Sequence, residues 1–167
     1  MSESSQRVCV VVMEAGGEWP DFVERDDGRP VNWAVVPQQP GETPAELALR
    51  AARRVEAVVA GGAELDTVVI AAGSRHNDEV FAARCAVARA LIQVLRVREG
   101  SRLVFSAPAT LPISARHDLI ALAGTLAAQS RDTALDVGVR FDAPHDRSHG
   151  RSRARQSQAA KDSSALV

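Results

Sequence analysis

The sequence predicts an α/β fold, a three-layer sandwich around a mixed, mainly parallel sheet. Three observations carry that expectation. Short β-branched runs recur at residues 7–13, 67–72 and 102–106. Longer stretches with helical apolar spacing lie between them, at residues 44–60 and 78–98. The junction Gly73-Ser74-Arg75-His76-Asn77 joins a strand-like run to a helix-like one through small and polar residues, where sheets of this class hold ligands.

Residues 7–13 form a nearly continuous apolar run, which reads as a central strand buried on both faces. Glu14-Ala15-Gly16-Gly17 ends it. Residues 19–25 and 31–36 read as a hairpin around the turn Asp26-Asp27-Gly28-Arg29-Pro30. Thr43-Pro44-Ala45-Glu46 is a helix start: Thr caps, Pro fits the first turn, and Glu reaches back. Apolar residues then recur at Ala48, Ala51, Ala52, Val55, Val58 and Val59, which is helical spacing. Glu46 and Arg50 are spaced to pair on the solvent face, and Gly61-Gly62 ends the helix.

The helix expected at 78–98 carries an apolar face of Phe81, Cys85, Ala88, Ile92 and Leu95 and a polar face of Arg89, Gln93 and Arg96. Gly100 ends it, and a strand follows at 102–106. Pro108 and Pro112 bound a loop. Ser114 is placed to cap a third helix running to residue 129, in which Leu119, Leu122 and Leu126 align and Gly124 suggests close approach to the sheet. Residues 135–141 alternate like a half-exposed edge strand.

The resulting order is β-β-β-α-β-α-β-α-β. In topology it resembles the ribonuclease H-like folds. Without a strand at 19–25 it resembles a doubly wound, flavodoxin-like or universal-stress-like sheet instead. Neither comparison fixes a function. One domain is expected over residues 7–141, between a disordered start at 1–6 and a disordered Arg- and Ser-rich tail at 142–167.

Composition excludes several chemistries. The one lysine, Lys161, lies in the tail. The domain therefore has no lysine for a Schiff base or a Walker-type phosphate loop, and with no tyrosine anywhere it has no phenolic acid or nucleophile. Cys9 and Cys85 sit in apolar segments as expected buried free thiols, with no C-x-x-C motif. A formal net charge of −1 gives no global field for nucleic acid. The apolar runs are too short for a membrane span and the first residues lack signal-peptide character, so a cytoplasmic protein is expected. The basic tail supports at most weak, salt-dependent contact with nucleic acid.

The expected ligand site comprises Gly73, Ser74, Arg75, His76 and Asn77, with Glu14 and Ser106 at neighbouring strand ends. Arg75 can grip an anion with two bonds, Ser74 and Asn77 can hydrogen-bond, His76 can tune pH dependence, and the start of the helix favours negative charge. The leading expectation is a non-catalytic domain that binds an anionic small molecule or a protein partner. No cofactor is specified. One alternative is a metal-dependent phosphoesterase or nuclease using Glu14, Asp78 and Glu79, although residues 67–72 supply no carboxylate and the third helix offers only Asp118. His76 and His117 with Ser74 or Ser106 are hydrolase components in type only, since no G-x-S-x-G links them. A further alternative is an assembly subunit, homo-oligomeric through the hairpin that carries Trp19, Phe22 and Trp33.

Overall fold

The computed structural model describes residues 6–20, 31–98 and 100–142. The described elements are β1 Arg7–Met13, β2 Val31–Pro37, α1 Pro44–Ala60, β3 Glu64–Ala71, α2 Asp78–Leu95, β4 Arg102–Ala107, α3 Ile113–Gln129 and β5 Asp136–Phe141. The strands form one sheet in the order β2-β1-β3-β4-β5, and every pairing is parallel. The α/β class is therefore as expected.

Of the hairpin expected over residues 19–25 and 31–36, only the second strand is described: it is β2, and it pairs in parallel with β1, Val31 with Arg7 and Pro37 with Met13. A parallel neighbour needs a crossover, not a tight turn. Trp19 and Pro20 have no strand structure, and residues 21–30, including Phe22, lie outside the described residues. The sheet among the described residues is accordingly parallel rather than mixed. Its order is that of flavodoxin-like sheets. Pro37 is tolerated because β2 is an edge strand, where a missing N–H costs no ladder bond on the open side.

The connections β2→β3, β3→β4 and β4→β5 all step the same way across the sheet. Right-handed crossovers then place α1, α2 and α3 on one face. Alternation along the strands agrees. Val10, Val12, Val68, Ile70, Leu103 and Phe105 join Leu47, Ala51, Leu91, Leu119 and Leu126 in one buried core. The residues between them, Val11, Val69 and Ala71, form a second cluster on the opposite face with Met13 and Trp33. Residues 21–30 of the β1–β2 connection lie outside the described residues. On this second face Trp19 meets Trp33 edge-on, with ring centroids 5.5 Å apart. Cys9 is buried there, and desolvation, reinforced by the Asp66 carboxylate, pushes its thiol up to about 12. Among the described residues no helix is long and apolar enough to cross a membrane.

The helix ends follow local chemistry. Thr43 Oγ1 accepts the Glu46 N–H at 3.2 Å, and Glu46 accepts the Thr43 N–H at 2.8 Å, a complete capping box. Thr43→Ala is expected to cost about 1 kcal/mol, with Thr43→Ser near neutral, in urea unfolding monitored by circular dichroism. Because Glu46 is committed to the cap, Arg50 does not pair with it and instead pairs with Glu42 at 2.7 Å. Ser114 does not cap α3. The helix starts two residues earlier than such a cap would place it, with Pro112 at the cap position and no side-chain cap bond. Gly124 is exposed, and a Cβ there would meet nothing within 4 Å, so it marks no close approach to the sheet.

Candidate functional site

The C-terminal end of β1 delivers Glu14 beside the turn that leaves β3. The two turns interlock through their backbones: Glu14 N–H donates to Ala71 O at 3.1 Å. Glu14 is held on both carboxylate oxygens by Arg84 of α2. Arg84 Nε donates to Oε1 at 2.7 Å and Nη2 to Oε2 at 2.9 Å. The Gly73 N–H adds a third bond to Oε2 at 3.0 Å. The same Nη2 reaches the carbonyls of Gly73 at 3.2 Å and Arg75 at 3.1 Å.

The Arg84 side chain is 0% exposed and that of Glu14 13%. A charge this deep persists only when paired and hydrogen-bonded, and the bidentate fork supplies both. Glu14 is thus a partly buried, ion-paired carboxylate at the cavity, not a free surface one. Arg84 ties β1, α2 and the 73–77 turn into one unit.

His76 extends the network. Its Nδ1 lies 3.5 Å from Arg84 Nη1, and its Nε2 lies 2.9 Å from Asp118 Oδ2 of α3. A carboxylate only accepts, so Nε2 is the donor in the contact with Asp118. Phe81 packs edge-on against the ring, with centroids 6.2 Å apart. His117 is exposed and takes no part.

A cavity of about 280 Å³ opens beside this network, between the ends of β1 and β3 and the starts of α1 and α2. Glu14, Gly73, Arg75 and Asn77 line it, as the sequence led us to expect, and so do Gln38, Glu42, Glu79 and Arg84. Asn77 caps α2 by accepting the Val80 N–H at 2.8 Å. Gln38 is anchored by accepting the Ala15 N–H at 3.1 Å. Two hydrogen bonds, from Arg50 and from the Gln39 N–H, hold the Glu42 carboxyl below the usual carboxylate range. Arg75 lines the cavity with no ion pair among the described residues.

Two expected members stand apart. Ser74 is exposed and does not line the cavity. Ser106 sits next to Phe105 on β4, so its side chain points to the face away from the helices, where its hydroxyl lies 3.4 Å from Asp142. His76 touches the site only through Arg84. No family model, no curated protein and no solved structure matches this chain.

Among the described residues no group of three or more His, Cys, Asp or Glu side chains is arranged to hold a metal ion. Of the carboxylates in the nuclease alternative, Glu14 and Glu79 line the cavity. Both oxygens of Glu14 are engaged by Arg84, and Asp78 does not line the cavity.

Proposed function

We propose that this chain is a non-catalytic binding domain that takes a small anionic molecule in the cavity between β1 and β3. The observation that carries this reading is the position of the cavity. In open parallel α/β sheets, ligands bind outside the carboxyl ends of the strands, where the chain order reverses. Here the reversal falls at β1, which has β2 on one side and β3 on the other. The cavity lies at that point.

The electrostatics suit one negative group. Glu14 is neutralised by Arg84 and Glu42 by Arg50, which leaves Arg75 as the available cation. The first-turn amides of α2 add a favourable dipole. Three hydrogen bonds from Arg84 and Gly73 hold Glu14 in place, and a carboxylate fixed in an ion pair suits a binding site.

A thermal-shift screen with small carboxylates, phosphates and nucleotides tests the reading, because a ligand that binds only the native state raises the melting temperature. Arg75→Ala is expected to weaken the stabilising ligand at least about tenfold, or roughly 1.4 kcal/mol, while leaving the melting temperature of the free protein unchanged. Full affinity in Arg75→Ala would remove the cavity as the binding site.

A further inference from the structure

We infer that the ligand of this cavity is a compact monocarboxylate with an aliphatic body, and not a nucleotide or polyphosphate. The inference rests on the binding reading above and narrows its ligand class.

Size sets the first limit. The cavity of about 280 Å³ is smaller than the roughly 300–1,000 Å³ of pockets for drug-sized ligands. A short branched acid fills a cavity at the small end of that scale. A base, a sugar and several phosphates would extend out of it into solvent.

Charge sets the second. The lining carries Glu14, Glu42, Glu79, Arg75 and Arg84. With Glu14 paired to Arg84 and Glu42 to Arg50, Arg75 and Glu79 are the lining charges without an ion pair among the described residues. One cation matches one carboxylate. A second or third negative charge would meet Glu79 with no second unpaired lining cation to offset it, and like charges disfavour each other.

The walls set the third. Val12, Leu47, Ile70, Val80, Ala83 and Val87 supply the apolar part of a mixed lining, which contains no aromatic ring or imidazole. Nucleobases gain about 1–3 kcal/mol each by stacking on aromatic side chains, and this cavity offers no such surface. An aliphatic body gains instead from burial, about 0.8 kcal/mol per CH₂. Glu79 can also accept an ammonium, so a free acid and an α-amino acid share the same recognition chemistry and differ only at Glu79.

Isothermal titration calorimetry of the full chain with 4-methylpentanoate, leucine, inorganic phosphate and ATP decides it. The expected result is saturable binding of 4-methylpentanoate or leucine, weakened at least tenfold in Arg75→Ala, with phosphate and ATP at least tenfold weaker. Loss of leucine alone in Glu79→Gln identifies the amino acid as the preferred source, and binding that survives identifies the simple acid. Arg75-dependent binding of phosphate or ATP that matches or exceeds the acids overturns the ligand class and leaves the binding reading standing. Acid binding indifferent to Arg75→Ala, or no binding by any of the four probes, overturns both.

Discussion

Arg84→Met is expected to destabilise the protein by about 3–5 kcal/mol, the range for breaking a buried ion pair from one side. The cost does not come chiefly from the lost attraction. Arg84 supplies bonds to both oxygens of Glu14 and to the carbonyls of Gly73 and Arg75. Its removal leaves a carboxylate only 13% exposed, with the Gly73 N–H as its remaining donor. An unpaired charge at that depth carries most of its desolvation penalty.

The double variant Glu14→Leu/Arg84→Met separates the two contributions. Replacing both partners by apolar groups of similar size is often near neutral, so the double variant is expected to be more stable than Arg84→Met alone. Urea unfolding of the four proteins closes the cycle and gives the coupling directly. A loss below about 1 kcal/mol in Arg84→Met would mean that water reaches Glu14 and that the pair does not organise the site.

The sequence made half of this pair visible. Glu14 stands out because it ends an apolar strand at the edge where ligands bind. Arg84 does not, because the apolar face of α2 is first read through Phe81, Cys85, Ala88, Ile92 and Leu95. The residues that are buried are Arg84, Val87, Ala88, Leu91, Ile92 and Leu95, a face rotated by about one position. In that frame Arg84 lies four residues before Ala88 and seven before Leu91, at the N-terminal end of the stripe and in phase with it. An arginine in phase with an apolar stripe is the signal that was available, since arginine is almost never fully buried unless paired.

The neighbour of β2 was harder to read. An apolar run has the same alternation whichever strand it pairs with, and Asp26-Asp27-Gly28-Arg29-Pro30 has the composition of a reversing turn. Only pairing geometry shows that β2 lies directly beside β1. The capping box was fully legible, because Thr43 and Glu46 satisfy each other within one turn and need nothing from the rest of the fold. The pairing of Arg50 was not, because its partner, Glu42, lies in the loop before the helix. Local chemistry is written in adjacent residues; the cavity is written in residues brought together by the strand order.

Gly73→Ala is expected to cost about 2–3 kcal/mol, the upper part of the range for overpacking, and to abolish ligand binding at the cavity. The cause is proximity, not backbone freedom. A Cβ on Gly73 would stand 2.7 Å from the carbonyl oxygen of Ala15, with Gly16 and Gly17 backbone atoms at 3.5 Å. These neighbours are main chain and cannot swing aside as a side chain can. Gly17 is as tight from the other side, since a Cβ there would lie 2.9 Å from both Ala71 O and Glu14 O. The turns that follow β1 and β3 therefore separate when either glycine gains a methyl group. Separation stretches the Gly73 N–H bond to Glu14 and the Arg84 bond to Gly73 O, which displaces Arg75 from the cavity rim. Ser74→Ala, one residue along and exposed, is the matched control and is expected to change stability by no more than about 0.5 kcal/mol. Equilibrium unfolding reads the first effect, and titration with the ligand found for the parent protein reads the second. A Gly73→Ala protein with parental stability and affinity would show that the two turns have room to part, and would remove their close approach as the origin of the rigid cavity wall.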